Sequence, residues 1–185
     1  MMRIITGRAR GVRLDTLPGD ATRPTSERVK GAIFSSMQFE LGGRRVLDLF
    51  AGSGQMGLEA LSRGAASCAF ADASREAMDV VKRNAERTGF FDACRYLVSD
   101  YRNVIRKAAG GPLYDLVFID PPYAMNAAGD AIERILAADI LAPGAILVAE
   151  SGSPDPLSPL PEGLLLRKAA RYSVSYVTIY EWEGK

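Results

Sequence analysis

Val46-Leu47-Asp48-Leu49-Phe50-Ala51-Gly52-Ser53-Gly54-Gln55-Met56-Gly57 reads as a buried strand that breaks into a glycine turn and restarts as a helix. Glycines at this turn let a ligand approach the backbone closely, and the helix behind them offers unpaired N–H groups. The spacing of Gly52, Gly54 and Gly57 also fits a nicotinamide dinucleotide. Asp48 argues against that ligand. A carboxylate just before the glycines faces a pyrophosphate unfavourably, whereas it can orient a cationic amino-acid cofactor such as S-adenosylmethionine.

Working outward, strand-like and helix-like patterns alternate. Arg45–Leu49, Ser67–Asp72, Arg95–Ser99, Tyr114–Ile119 and Ala145–Glu150 read as strands. Between them Val80, Val81 and Ala85 fall on one helical face, as do Ile132, Ile135, Leu136 and Ile140. This alternation is the signature of a parallel α/β sheet. After a loop carrying Pro154, Pro156, Pro159 and Pro161, the segments Leu164–Ala170 and Ser173–Trp182 read as an antiparallel pair that closes the sheet. Acids stand at the C-terminal ends of four successive strands: Asp48, Asp72, Asp100 and Asp120. Each alone is equally a helix cap. Together they mark the edge where open α/β sheets bind ligands, Asp72 suiting ribose hydroxyls and Asp100 an adenine amino group.

The apolar run Leu116-Val117-Phe118-Ile119 ends in Asp120-Pro121-Pro122-Tyr123. Two prolines stiffen this turn, so the Asp120 side chain and the Pro121 carbonyl can both accept from one amino group while Tyr123 covers the attached ring. The arrangement suits methylation of an exocyclic nitrogen. Asp-Pro-Pro is also ordinary turn vocabulary, and the tetrapeptide alone fits a strand-ending loop equally well.

Charge is unevenly spread over the 185 residues. Residues 1–45 carry nine Lys or Arg against four acids, while the whole chain has a net charge of only +1. Arg3-Ile4-Ile5 and Gly11-Val12-Arg13-Leu14 flank Thr6-Gly7-Arg8-Ala9-Arg10, which predicts a small basic hairpin. A helix follows, capped by Thr25 or Ser26. Val29, Ile33, Phe34 and Met37 form its apolar stripe, leaving Arg23, Arg28 and Lys30 for contacts. Arginines in such an arm suit phosphate oxygens. A composition of 48% hydrophobic and 24% charged residues supports one domain with a small appendage. Apolar runs shorter than a membrane span, and an N-terminus without a signal-like segment, predict a cytoplasmic protein. With no histidine, His triads and His metal sites are excluded, and no metal is expected; Cys68 and Cys94 read as free thiols.

These motifs together resemble a class I S-adenosylmethionine-dependent methyltransferase. More closely, the chain is similar to the bacterial family that methylates a guanine N2 in small-subunit (16S) ribosomal RNA. The resemblance runs from Met2-Arg3-Ile4-Ile5-Thr6-Gly7 and Arg23-Pro24-Thr25-Ser26-Glu27-Arg28-Val29, through the glycine turn and Gly57-Leu58-Glu59-Ala60-Leu61-Ser62-Arg63-Gly64, to Asp120-Pro121-Pro122-Tyr123. It implies a Rossmann-like, mostly parallel seven-stranded sheet with the last strand antiparallel. Residues 1–40 would be an RNA-contacting extension and residues 41–185 the methyltransferase domain. It further implies cofactor contacts at Asp48, Phe50, Gly52, Gly54, Asp72 and Asp100, and catalytic roles for Asp120, Pro121 and Tyr123. Arg3, Arg8, Arg10, Arg23 and Arg28 would contact RNA, and a monomer would act on the RNA or the assembling 30S particle. Asp72 stands where the family more often has Glu, and Tyr123 replaces a frequent Phe. A DNA or protein-amide N-methyltransferase shares the cofactor and Pro-Pro motifs, but residues 1–45 leave little room for a DNA-recognition domain. Carbon-5 methylation is disfavoured, because Cys68 and Cys94 follow Ser67 and Ala93 rather than proline. An RNA-binding module with a relict fold is the non-enzymatic alternative.

Overall fold

Along every central strand, successive side chains enter different cores, because a strand's residues alternate between the two faces of its sheet. The computed structural model of the protein describes residues 2–17, 27–122, 125, 127–153, 157–173 and 175–184. Its strands are β1 (Arg45–Asp48), β2 (Ser67–Asp72), β3 (Cys94–Val98), β4 (Tyr114–Ile119), β5 (Leu141–Ser151), β6 (Leu164–Tyr172) and β7 (Ser175–Trp182). The helices are α1 (Glu27–Ser35), α2 (Gln55–Ser62), α3 (Arg75–Thr88), α4 (Tyr101–Ala108) and α5 (Ala128–Ala137). One sheet contains all seven strands in the order β3-β2-β1-β4-β5-β7-β6. Neighbours from β3 to β5 pair parallel, and β7 enters antiparallel between β5 and β6. This is the class I methyltransferase fold expected from the sequence.

Val46, Phe70, Phe118, Val148 and Ile179 face one core with α2 and α3, whereas Leu47, Ala71, Val117, Leu147 and Tyr180 face the other with α4 and α5. Strand bounds differ from the sequence reading mainly around β5 and β7. Strand β5 starts earlier because Leu141 pairs with Tyr114 across a register irregularity. Strand β7 starts later because Ser173 turns the chain, with φ 59. Both cysteines are free; Cys68 is buried and Cys94 half-buried.

The N-terminal segment forms the expected hairpin. Arg3 bridges Arg13, and Ile4 and Val12 are joined by a 2.9 Å backbone bond. Ile4 and Leu14, with Ile33, Phe34 and Met37 from α1 and its exit, join the same core as α2 and α3. Glu59 of α2 fastens this layer. Its side chain is fully buried and accepts from the Ile5 N–H at 2.7 Å, the Thr6 N–H at 3.0 Å and Arg63 Nε at 2.8 Å. Lys30 Nζ lies 3.4 Å away and donates to the Arg3 carbonyl at 2.7 Å. Lys30 is therefore not available for external contacts, contrary to the reading that leaves it, with Arg23 and Arg28, for contacts. Burial lowers its pKa, and the facing Glu59 acts the other way.

Removing one member of a buried pair strands the other in a dry site. Glu59→Ala is expected to lose about 3–5 kcal/mol in urea denaturation. Lys30→Met/Glu59→Leu is expected to recover a substantial part of that loss. A single variant within about 1 kcal/mol of wild type would show that the network carries little of the fold.

Candidate active site

Strands β1 and β4 are neighbours at the point where the strand order reverses, and the Leu49 N–H donates to the Phe118 carbonyl at 3.0 Å across their ends. In open α/β sheets such a reversal opens a crevice at the strands' carboxyl ends. Asp48 and Asp72 are the last residues of β1 and β2, Asp100 follows β3 after Ser99, and Asp120 directly follows β4. The topology thus gathers the four acids on one edge and sets the glycine turn beside the Pro-Pro turn. Asp120 is exposed on that edge and Pro121 is half-buried. Tyr123 lies outside the described residues.

At the glycine turn, Gly52 and Gly54 adopt φ 53 and φ 78. A Cβ built at Gly52 would meet nothing within 4 Å, so the turn leaves room for a ligand against its backbone. Gly57 answers a different need: a Cβ there would stand 2.4 Å from Phe70 Cε1 and 2.5 Å from Cys68 Sγ. Its absence brings α2 down onto β2 and puts the Gly57 N–H 3.0 Å from an Asp48 oxygen. Asp48 consequently sits beneath the turn, only 3% exposed. Burial pushes its pKa up to about 7, opposed by the Gly57 bond and aided by the nearby Asp72 charge. A cationic group seated over the turn would favour the ionised form.

Asp72 accepts from the Gly52 N–H at 3.0 Å and the Ser74 N–H at 2.8 Å, one bond to each oxygen, so each oxygen keeps a further lone pair. Asp100 caps α4, accepting from the Arg102 N–H at 2.9 Å. The Phe50 ring lies 5.1 Å from that of Tyr101, which gives the edge an aromatic wall between β1 and α4. Open space at Gly52, spare lone pairs on Asp72 and an aromatic wall together fit a ligand with ribose hydroxyls, a planar base and a cationic end.

Sequence reading passed over Tyr101, Asp130 and Asn84. Tyr101 donates to Asp130 at 2.5 Å, tying α4 to the helix that follows the Pro-Pro turn. Buried Asn84 of α3 donates to the Ser53 and Asp15 carbonyls at 2.9 and 3.0 Å and accepts from the Asp15 N–H. Its signal was a polar residue among the buried Val80, Val81 and Ala85. The expected RNA-contacting arginines spread along the hairpin. Met2, beside Arg3, meets Ser53 of the glycine turn, whereas Arg8 and Ala9 meet Ser62 at the far end of α2. Eight residues of helix put about 12 Å between those ends. Arg3 pairs with Glu27 at 3.1 Å, Arg8 stacks over Phe90, Arg10 and Arg28 are exposed, and Arg23 lies outside the described residues.

Because the folded chain holds the Asp48 proton more tightly than an unfolded one, with a pKa near 7 against 3.8, it binds more protons between those values and its stability falls as pH rises. Asp48→Asn keeps the hydrogen-bond acceptor without the charge. Its unfolding free energy relative to wild type is expected to rise by up to about 4 kcal/mol from pH 4 to pH 7. Parallel curves across that window would show that Asp48 ionises in the fold as it does in solution.

Comparison with known proteins bears on the fold and the family. The family model described as Conserved hypothetical protein 95 matches residues 2–181. A Bacillus subtilis protein, YlbH, named provisionally as an rRNA methyltransferase, is 32% identical over 99% of this chain and 100% of its own. Ribosomal RNA small subunit methyltransferase D of Haemophilus influenzae is 31% identical over 95% of this chain and 91% of its own. The solved structure of yhhF from Escherichia coli, provisionally called a methyltransferase, superposes with a TM-score of 0.87 at 27% identity, covering 100% of this chain and 99% of that one. The glycine turn and the Pro-Pro turn, side by side on a class I methyltransferase sheet, thus occur in a chain that belongs to the Conserved hypothetical protein 95 family.

Proposed function

We propose that this protein transfers a methyl group from S-adenosylmethionine to the exocyclic N2 amine of a guanine in small-subunit ribosomal RNA. The observation that carries the reading is the adjacency of β1 and β4, which sets a cofactor-type turn beside an amine-type turn on one edge. The small-subunit RNA substrate follows the name of the Haemophilus relative, and guanine N2 follows the family resemblance of the motifs.

S-adenosylmethionine, when bound, supplies an electrophilic methyl on a sulfonium, so alignment with a nitrogen lone pair is the main demand on the protein. Asp48 and the glycine turn would hold its amino-acid end, Asp72 would accept the ribose hydroxyls, and Phe50 and Asp100 would border the base. Asp120 and the Pro121 carbonyl each accept one amine hydrogen, which directs the nitrogen lone pair toward the methyl. Tyr123 stacks on the guanine once it has left its helix. With the cofactor bound, the methyl would pass from sulfur to nitrogen, the sulfur keeping the electron pair of the broken bond, and the solvent-exposed Asp120 carboxylate would take the proton that the methylated amine sheds and pass it to water. Arg3, Arg8, Arg10, Arg23 and Arg28 hold the RNA backbone.

Labelled S-adenosylmethionine and unmethylated small-subunit RNA or particles, followed by mass mapping of the product, test substrate and atom together. Label on guanine N2 is the expected result; label on DNA, on protein, or on no acceptor overturns it. Asp120→Ala is expected to lower kcat at least a hundredfold while cofactor-induced thermal stabilisation persists. Normal turnover would remove Asp120 from the chemistry. Arg10→Ala and Arg28→Ala are each expected to weaken RNA binding and to flatten its dependence on log salt by about 0.7–0.9. Unchanged slopes would take the extension off the RNA.

A further inference from the structure

Helices α4 and α5 lie on the sheet face opposite the N-terminal hairpin and border a groove of about 420 Å³. Arg102, Asn103, Arg106 and Arg134 line it together with Ile105 and three alanines. Three cations line it, and two acids, Asp100 and Asp130, stand at its border. Asp130 takes the Tyr101 hydroxyl at 2.5 Å, Arg134 at 2.8 Å and Arg102 at 3.7 Å. Arg102 also pairs with Asp100 at 3.7 Å, but Arg102 and Arg134 stay 51% and 46% exposed, and with five donors on each guanidinium these two carboxylates leave several open. Arg106 donates to Asn103, a neutral partner, at 3.0 Å. Tyr101 packs beneath Arg102, whose guanidinium carbon lies 4.6 Å from the ring centre, and fixes its direction.

Position adds to charge. Helix α4 begins at its Asp100 cap and α5 follows the Asp120-Pro121-Pro122 turn, so both run down from the edge that carries the four acids. Arg102 and Arg106 stand one helical turn apart, about 6 Å along the axis, leading away from that edge. The hairpin descends from the same edge on the other face. A strand lying across the edge therefore meets arginines on both sides of the sheet.

We infer that the α4–α5 groove holds the phosphate backbone of the RNA flank on the side of the target base opposite the hairpin, so that the substrate straddles the sheet edge. The inference rests on the RNA reading given under Proposed function. Phosphate complements this groove because Arg presents forked donors to its oxygens, and release of counterions rewards each such contact. Arg106 is the informative position, since it is exposed and stands apart from the Asp130 network and from the cofactor turns.

The test compares full-length wild type, Arg106→Ala and Arg106→Glu for methyl transfer to unmethylated small-subunit RNA and for RNA binding across a salt series. Melting temperature and cofactor-induced stabilisation verify that each variant is folded. Arg106→Glu is expected to raise the KM for RNA about three- to tenfold with kcat within about twofold, and Arg106→Ala to reduce the salt slope by about 0.7–0.9. Variants matching wild type in both KM and salt slope overturn the groove while leaving RNA methylation standing. A wild type that binds RNA but transfers no methyl overturns the methylation reading, and the salt slopes still judge the groove. A wild type with no salt-dependent RNA binding overturns both.

Discussion

A buried carboxylate on α2 ties the N-terminal hairpin and α1 to the rest of the molecule. Glu59 lies on the helix that restarts after the glycine turn, and its oxygens take the Ile5 and Thr6 N–H groups while Lys30 and Arg63 neutralise its charge. Leaving such a group unsatisfied costs several kcal/mol, so the hairpin, α1 and α2 are held in one relative placement. Ser62 repeats the logic one turn later, donating to the Thr6 carbonyl and accepting from the Ala9 N–H. The arm that carries the arginines is thereby referenced to the helix whose first turn borders the candidate cofactor site. This gives a physical reason for the segments Met2 to Gly7 and Gly57 to Gly64 to occur together in one chain.

Much of this was legible in the sequence because period and punctuation are local. The run Val46 to Gly57 declares strand, turn and helix without help from the rest of the chain, and Asp48, Asp72 and Asp100 mark where their strands end. What stayed hidden depends on residues far apart. Lys30 reads as a helix cation left for contacts until the fold supplies Glu59. Asn84 reads as a fault in an apolar stripe until Ser53 and Asp15 arrive beside it. Tyr101 and Asp130 are 29 positions apart and meet only because α4 and α5 pack side by side. The adjacency of β1 and β4, which sets the two chemical turns together, follows from strand order, and local periodicity does not encode strand order.

Asp48 shows how the glycine turn and the acid beneath it depend on each other. With no side chain at Gly57, α2 settles onto Phe70 and Cys68, and the N–H that meets Asp48 is delivered by that settling. The acid braces the turn from below, and its ionisation is the most strongly buried charge change on the ligand edge. The glycine turn and its support are in this way one structural unit.

The placement of β7 has a consequence for how the molecule comes into being. The last strand of the chain does not extend the sheet at its rim; it slots between β5 and β6, bonding to both. During vectorial synthesis β1, β2, β3, β4 and β5 can assemble the ligand edge in order of emergence, while β6 has no neighbour to pair with until residues 175–182 arrive. Completion of the sheet is thus a late event that closes two ladders at once, yet its pairings are short in sequence, Tyr172 with Ser175 and Ser151 with Tyr176, whereas the ligand edge depends on the distant pairing of Val46 with Leu116.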